Sequence, residues 1–203
     1  MSVPAPSPPR QEPPESLRAR ILREATRLFA ERGYAATSVR EITMAAGCTK
    51  PALYYHFGGK EQLFLQAIRH ETEGITRLIF DVTGGDLPVR DLIARGLETF
   101  VEHVHRNPMG MRLLMRAELW PDEGQPEYDF ESLRATHLEL IKGLLARGVE
   151  EKSVRPDVDL EDAAYALAGI IDQRLQLWLR GEPVPADFPA RAVSIFFDGV
   201  AAR

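Results

Sequence analysis

The stretch TSVREITMAAGCTKPALYYHFGGKEQL (37–63) decides how the rest of the chain is interpreted. Near its start, Ser38 and Glu41 have the spacing of a capping box, in which each side chain pairs with a free backbone N–H at the start of a helix. Gly47 interrupts that helix, because glycine accepts backbone angles that other residues avoid. Thr49 then caps a second short helix. The stretch therefore predicts a helix, a tight turn and a second helix, the proportions of a helix-turn-helix.

The second of these helices carries more large polar and aromatic side chains than one buried side can hold. Phe57, with Ala52 or Leu53, suits the side that packs on the chain. The other side is left with Thr49, Lys50, Pro51, Tyr54, Tyr55 and His56. These groups suit a DNA groove, because lysine donates to guanine or phosphate, proline contacts a thymine methyl, and tyrosine and histidine donate to phosphate. A half-buried amphipathic patch that holds a loop is the alternative.

The same stretch closely resembles the DNA-binding signature of the tetracycline-repressor (TetR) family. Its REI–AAG, LYYHF and GGKEQL segments match in order and spacing, and the preceding RILREATRLFAERGYAATS is similar to that family's first helix, so the resemblance covers about residues 17–66. Met44 departs from the usual alanine, and Gly58–Gly59 from the usual polar pair. The resemblance implies an all-helical dimer that binds a palindromic DNA operator through three N-terminal helices and a small-molecule inducer through its C-terminal helices.

Carried over by position, the resemblance assigns Lys50, Pro51 and Tyr54 to base contacts. Phosphate contacts fall to a second set: Thr37, Thr49, Tyr55, His56 and Lys60. The division between the two sets stays open, since tyrosines in this motif vary in role. Thr37 and Lys60 also stand at helix starts, whose backbone N–H groups attract an anion. Ser38, the cap of the preceding helix, completes the predicted DNA-binding residues.

Helical periodicity continues through the rest of the chain. Residues 1–15 contain six prolines and predict a disordered tail. Ser16 and Gly33 are expected to cap the first helix, and Lys60 starts a fourth that extends to Gly84. Five further helices are predicted at about 88–106, 108–119, 127–151, 159–180 and 187–201. With no period-two segment, we predict an all-α fold of about nine helices, divided into a DNA-binding domain (16–59) and a ligand-binding and dimerisation domain (60–203).

Charge is distributed unevenly along the chain. Residues 1–60 hold 9 Lys/Arg and 5 Asp/Glu, a net +4, whereas the remaining residues hold 16 and 25, a net −9. A basic end on an acidic body is expected where one end meets phosphates. The single cysteine, Cys48, excludes an internal disulfide and is typical of a reducing compartment. No apolar run reaches 18 residues and no signal peptide is visible, so a cytoplasmic protein without a membrane span is expected.

The last two predicted helices, 159–180 and 187–201, are apolar on more than one face. Such helices are buried on more than one side. We expect them to pair with a second copy of the chain, since a two-fold dimer matches a palindromic site. The small residues Ala164, Ala168 and Gly169 would permit close helix approach. The alternative is that both helices only complete a core within one chain.

Inducer contacts are expected among polar and aromatic residues that stand between apolar ones in the C-terminal part. The candidates are Phe100, His103, Met111, Met115, Trp120, Tyr128, His137, Asp172, Gln173 and Trp178. Pockets combine apolar walls with a few polar anchors, although such residues are more often plain core. Asp172 is the most informative, because a carboxylate on an apolar helix needs a partner. That partner is either an inducer's amine or an arginine such as Arg174 or Arg116, and the arginine is favoured.

No enzyme, cofactor or metal site is predicted. His103 and His105 lie about 200° apart on a helix and do not ligate one ion together. The GGK at 58–60 lacks the other residues of a phosphate loop, and no nucleophile–base set stands out. The predicted function is a ligand-responsive transcriptional regulator, with a repressor favoured. The alternatives are an activator, or an interaction protein that no longer binds DNA.

Overall fold

The computed structural model describes residues 15–200, with side chains described as far as residue 197. The predicted tail lies outside this range apart from its last residue. The described part contains nine α-helices and no strand, as predicted. The helices are α1 (Leu17–Arg32), α2 (Val39–Ala45), α3 (Lys50–Phe57), α4 (Lys60–Thr83), α5 (Val89–Arg106), α6 (Pro108–Leu119), α7 (Phe130–Glu150), α8 (Leu160–Leu179) and α9 (Phe188–Val200). Within these residues no helix combines the length and apolar character needed to cross a bilayer.

The caps of the first three helices agree with the sequence patterns. The Ser16 hydroxyl accepts the Ala19 N–H at 3.2 Å, and α1 ends at Gly33 with φ +87°. Ser38 and Glu41 form the complete capping box at the start of α2. The Thr49 hydroxyl caps α3 by accepting the Ala52 N–H at 3.3 Å. These side chains satisfy N–H groups that have no partner inside the helix, which fixes where each helix begins.

The start of α7 differs most from the sequence prediction. The helix begins at Phe130 rather than about 127, because the Asp129 carboxylate caps it by accepting the Ser132 N–H at 2.9 Å. Residues before this cap form an irregular loop that follows Pro121. An aspartate that pairs with nearby N–H groups competes with continuation of the helix towards its N-terminus.

The first apolar core combines α1, α2 and α3 with parts of α4 and α6. Its centre is an aromatic group in which the Phe64 ring lies 5.2 Å from Phe29 and 5.1 Å from Tyr34. Leu113 and Leu114 of α6 belong to the same core. We call α1–α3 the head and α5–α9 the body; α4 joins them. The head core is therefore closed by helices that continue into the body.

A second core occupies the body, where α8 packs on α7 and α9 packs on α5. Ala164 is completely buried, and Phe197 is 2% exposed. One face of each final helix thus completes a core within the chain. The opposite face remains open, with Tyr165 53% and Ile195 69% exposed. A Cβ added to Gly169, also on α8, would meet nothing within 4 Å.

Candidate functional site

Helix α3 has one buried side and one open side. Leu53 and Phe57 are 0% and 3% exposed, while Ala52 is only partly buried, so Leu53 is the inward residue of the two considered. Lys50 lies on the open side, exposed to solvent. Tyr54 is 45% exposed on the same side. The buried leucine and phenylalanine anchor the helix on the head core and leave its outer side free for contacts.

The exposed residues of α3 form a continuous surface. The Lys50 ammonium lies 5.6 Å from the centre of the Tyr54 ring, and cations are attracted to aromatic faces at such distances. Tyr55 is 86% exposed, and its ring lies 5.1 Å from that of the half-buried His56. Pro51 is exposed in the first turn. We call this exposed side of α3, residues 49–51 and 54–56, the α3 surface.

Thr37 does not belong to this surface, contrary to the sequence prediction. It is 1% exposed, and its hydroxyl donates towards the carbonyl oxygens of Gly33 at 2.7 Å and Leu28 at 3.3 Å. The threonine therefore fixes the turn after α1 and has no hydroxyl to offer a phosphate. Ser38 is exposed, but its hydroxyl is engaged with Glu41 in the capping box.

The start of α4 lies beside the α3 surface. Its N-cap, Gly59, supplies no side-chain hydrogen bond, so the first N–H groups of the helix have no such cap. The Lys60 ammonium lies 4.1 Å from the centre of the Tyr34 ring. Burial lowers the pKa of Lys60, and the charges of Asp122 and Glu41 act in the opposite direction. A cation and uncapped N–H groups therefore meet at one point.

A polar contact, which we call the α1–α6 joint, connects the head to the body. The Arg116 guanidinium of α6 donates to the Arg32 carbonyl at 3.3 Å and contacts Asp122 at 3.4 Å. The other oxygen of Asp122 accepts the Ala35 N–H at 3.2 Å. A Cβ on Gly33 would overlap both side chains. The sequence analysis missed this joint, because its members lie more than eighty residues apart in the chain.

The body encloses a cavity of about 270 Å³ between α4, α5, α6, α7 and α8. Its walls are mainly aliphatic. Half of the predicted inducer contacts line it: Phe100, Met111, Met115, His137 and Asp172. A mostly apolar cavity with a few polar groups is the usual form of a small-molecule site.

The other five candidates lie outside the cavity walls. Trp120 is 57% exposed at the end of α6, and Gln173 is exposed on α8. The Tyr128 hydroxyl lies 3.0 Å from that of Thr72 on α4. Trp178 packs in a small apolar cluster. His103 is half-buried on α5, where burial lowers its pKa against the opposing charge of Glu71.

Charged side chains gather where the cavity opens to solvent. Arg134 of α7 and Glu118 of α6 form an ion pair. Asp172 of α8 lies near them; burial raises the pKa of its carboxyl, Arg134 lowers it and Glu118 raises it further. We call Glu118, Arg134, Asp172 and Gln176, which all line the cavity, its mouth. The mouth was not foreseen beyond Asp172, since Glu118 and Arg134 have no sequence signal that sets them apart from ordinary surface residues.

The arginines expected to pair with Asp172 have other partners. Arg174 donates to the Pro183 carbonyl oxygen, and Arg116 belongs to the α1–α6 joint. Neither forms an ion pair with Asp172 among the described residues. The predicted arginine pairing was therefore wrong in its partners, and Arg134 is the cation that acts on Asp172 through its charge.

Helix α4 reaches both the cavity and the start of α6 through polar contacts. The Thr76 hydroxyl lies 3.0 Å from His137 Nε2 in the cavity wall, where burial lowers the pKa of the imidazole. Glu71 is 7% exposed and accepts a hydrogen bond from the Asn107 amide, which in turn caps α6. Helix α4, which begins beside the head, is therefore in direct contact with the cavity wall and with the start of α6. In the part of the chain the structure describes, no group of three or more potential ligands could hold a metal ion.

Comparisons with known proteins agree with this arrangement. Residues 21–67 match the sequence model of a family described as bacterial regulatory proteins, tetR family. The chain is 30% identical over 168 residues to the HTH-type transcriptional repressor KstR2 of Mycolicibacterium smegmatis, covering 77% of this chain and 76% of that one. It is 31% identical to the repressor AcnR of Corynebacterium efficiens, covering 78% and 80%. The solved structure of the TetR family regulator PfmR from Thermus thermophilus matches with a TM-score of 0.69 and 28% identity, covering 87% and 94%.

Proposed function

The chain belongs to the tetR family of bacterial regulatory proteins, and on that premise we propose that it is a repressor that leaves its DNA operator when a small molecule fills the cavity. The observation that carries this proposal is the α3 surface. Lys50 and Tyr54 lie outward, while Leu53 holds the helix on the head core. A helix held in this way presents its outer side chains to a major groove.

The proposed contacts fall into two kinds. Lys50, Pro51 and Tyr54, which lie on the open side of α3, are assigned to base edges by their positions in the family's motif. Thr49, Tyr55 and His56, with Lys60 and the N–H groups at the start of α4, hold phosphates on either side. Phosphate contacts position the protein, and base contacts select the sequence. Thr37 is not among these proposed DNA contacts. Ser38 contributes to DNA binding through its position at the start of α2.

We also propose that two copies of the chain pair through the open faces of α8 and α9. Tyr165 and Ile195 are large apolar residues that are more than half exposed there, and Gly169 leaves room for a partner helix. Pairing removes this apolar surface from water. A two-fold dimer then presents two α3 helices to successive major grooves, about 34 Å apart on a palindromic site.

Release follows from a two-state mechanism. A ligand in the cavity shifts α4, which lines the cavity through Ile75 and Ile79 and begins beside the α3 surface at Lys60. Helix α6 moves with it and carries the α1–α6 joint. The two heads then lose register with the operator. A ligand drives this change only if it binds the released state better than the DNA-bound state.

A gel shift with the promoter region of the protein's own gene tests the DNA-binding surface. Lys50→Ala and Tyr54→Ala are each expected to weaken binding by about tenfold or more, the size of a lost base contact. Lys142→Ala removes the same charge from the body and is expected to bind like wild type. Equal binding by all four proteins would refute the α3 surface as the DNA-binding site.

Sedimentation tests the pairing. Wild type is expected to sediment at a mass near twice 22.8 kDa at micromolar concentration. Ile195→Glu places a charge in the proposed interface and is expected to give monomers, because a buried unpaired charge is costly. Leu87→Glu, at a 40% exposed apolar residue between α4 and α5, is the control that stays dimeric. A wild-type monomer would contradict the proposal.

A further inference from the structure

We propose that the cavity selects an amphipathic cation: an apolar molecule that carries one basic nitrogen, held at the mouth by the Asp172 carboxylate and the Gln176 carbonyl oxygen. The inference rests on the proposed function only in treating the cavity as the effector site. It adds the chemical class of this protein's effector.

The distribution of polarity in the cavity carries the first step. Aliphatic and aromatic side chains from five helices form its walls, including Ile75, Leu97 and Phe100. The charged lining residues are Glu118, Arg134 and Asp172. A ligand that fits both regions has a long apolar part and a single polar end, because buried polar groups without partners are unfavourable.

The charges at the mouth carry the second step. Two carboxylates face one guanidinium, and Arg134 is already paired with Glu118. Asp172 is exposed to solvent and has no hydrogen bond or ion pair among the described residues, so its carboxylate is the group of the mouth that is free to bind a ligand. Gln176, one turn further along α8, also lines the mouth and has a carbonyl oxygen to offer. A protonated amine provides donors to these oxygens and forms charge-assisted hydrogen bonds with the carboxylate.

The opposite charge fits poorly. An anionic head group would lie between two carboxylates, and it would have to take Arg134 away from Glu118. The other titratable group in the wall, His137, adds no positive charge at neutral pH, because burial lowers the pKa of its imidazole and its Nε2 is engaged with Thr76. A neutral head group would leave the Asp172 carboxylate beside it without a counter-charge.

Three probes with the same ten-carbon alkyl chain distinguish cationic, neutral and anionic head groups: decylamine, decan-1-ol and decanoic acid. Each is titrated calorimetrically into the full-length protein at neutral pH, without DNA. The affinity for decylamine is expected to exceed that for decan-1-ol by about tenfold or more. A hydrogen bond to a charged group provides a difference of this size. Decanoate is expected to bind weakest. Equal affinities, tightest binding by decanoate, or no measurable binding of decylamine would overturn the proposal.

Two variants with opposite expected effects locate the selectivity. Asp172→Asn is expected to weaken decylamine binding about tenfold and to leave decan-1-ol unchanged. Arg134→Gln is expected to strengthen decylamine binding a few-fold, because it frees Glu118 from its guanidinium. Asp86→Asn removes one carboxylate from an exposed loop and serves as the matched control. A loss of decan-1-ol binding in Asp172→Asn, or unchanged decylamine binding in both cavity variants, would contradict the assignment.

A gel shift with and without decylamine keeps this inference separate from the proposed function. Release of operator DNA by decylamine, and not by decanoate, supports both. Amine selectivity in calorimetry combined with an operator complex that decylamine leaves intact supports the cavity chemistry and contradicts the effector role of the cavity. DNA release by an uncharged ligand, with no selectivity for the amine, supports the proposed function and overturns the inference that the effector is a cation.

Discussion

The head and the body are both built from amphipathic helices, but their candidate functional groups lie in opposite places. In the head, apolar side chains such as Leu53 and Phe29 are fully buried against each other, and the candidate functional groups lie outside on α3. In the body, apolar side chains such as Leu133 and Phe100 surround a space, and the candidate functional groups line its walls and its mouth. A filled interior makes the head rigid enough to hold a surface in place. An unfilled one leaves the body able to change shape around a ligand.

The largest effect is expected when the same leucine-to-alanine substitution is compared in the head and in the body. Leu53→Ala in the head core is expected to lower the free energy of unfolding by about 3–5 kcal/mol, because it leaves a cavity in a filled interior. Leu133→Ala in the cavity wall is expected to lower it by only about 1 kcal/mol, because this half-buried side chain already borders open space. Urea unfolding measures both values, and equal losses would remove the contrast between the regions.

The α1–α6 joint gives the next largest effect. Gly33→Ala is expected to lower the free energy of unfolding by about 3 kcal/mol, because alanine is strained at φ +87° and its methyl group would overlap Arg116 and Asp122. Gly124→Ala is the matched control, since Gly124 has φ +70° and nothing within 4 Å of an added Cβ. It retains the backbone strain alone, about 1 kcal/mol. If both variants unfold at the same urea concentration, the joint is not a close contact.

Thr37 tests the division between structural and DNA-contacting residues within the head. Thr37→Val removes the hydroxyl that bonds to Gly33 and Leu28 carbonyls, and it is expected to cost about 1–2 kcal/mol of stability. Operator affinity at low temperature, where the variant remains folded, is expected to keep its wild-type dependence on salt concentration. A salt slope smaller by about one unit would show instead that Thr37 holds a phosphate.

The smallest effect concerns His137 in the cavity wall. Burial lowers the pKa of its imidazole in the folded protein, so the neutral form is favoured there. The stability this provides is present above the ordinary pKa of about 6.5 and is lost as the pH falls towards the lower folded-state value. His137→Gln keeps a partner for Thr76 and removes the titration. When the pH is lowered from about 7.5 to 5.5, the free energy of unfolding of the variant is expected to fall by a few tenths of a kcal/mol less than that of wild type. A greater loss in the variant would contradict the burial of a neutral imidazole.

The sequence predicted most of the head because the start and end of its helices depend on local rules. The Ser38–Glu41 capping box, the Thr49 cap and the positive φ of Gly47 each involve residues a few positions apart. Leu53 and Phe57 follow from helical spacing. Thr37 was misassigned because its burial depends on the end of α1, which only the folded turn brings close. Local patterns place a helix, but they do not show which polar residue beside it is enclosed.

The sequence was less informative for the body, where the cavity depends on how helices are rotated against each other. Met115 lines the cavity and Trp120 does not, although both are large residues near the end of α6. Arg134 and Glu118 have the same appearance in the sequence as surface charges elsewhere. Only the arrangement of α6, α7 and α8 around the cavity brings them together beside Asp172. Residues around an empty space have the same periodicity as residues of a filled core, so periodicity does not distinguish them.

The insertion of α6 into the head core limits how such regulators can be recombined. Leu113 and Ala117 are buried among head residues, and Leu114 also borders the cavity. A chimaera that fuses residues 16–59 to a foreign body would replace these side chains with others that do not match Phe29 and its neighbours. Engineers who transplant the operator specificity of this protein should therefore carry α6 along with the head, or repack the recipient's equivalent helix.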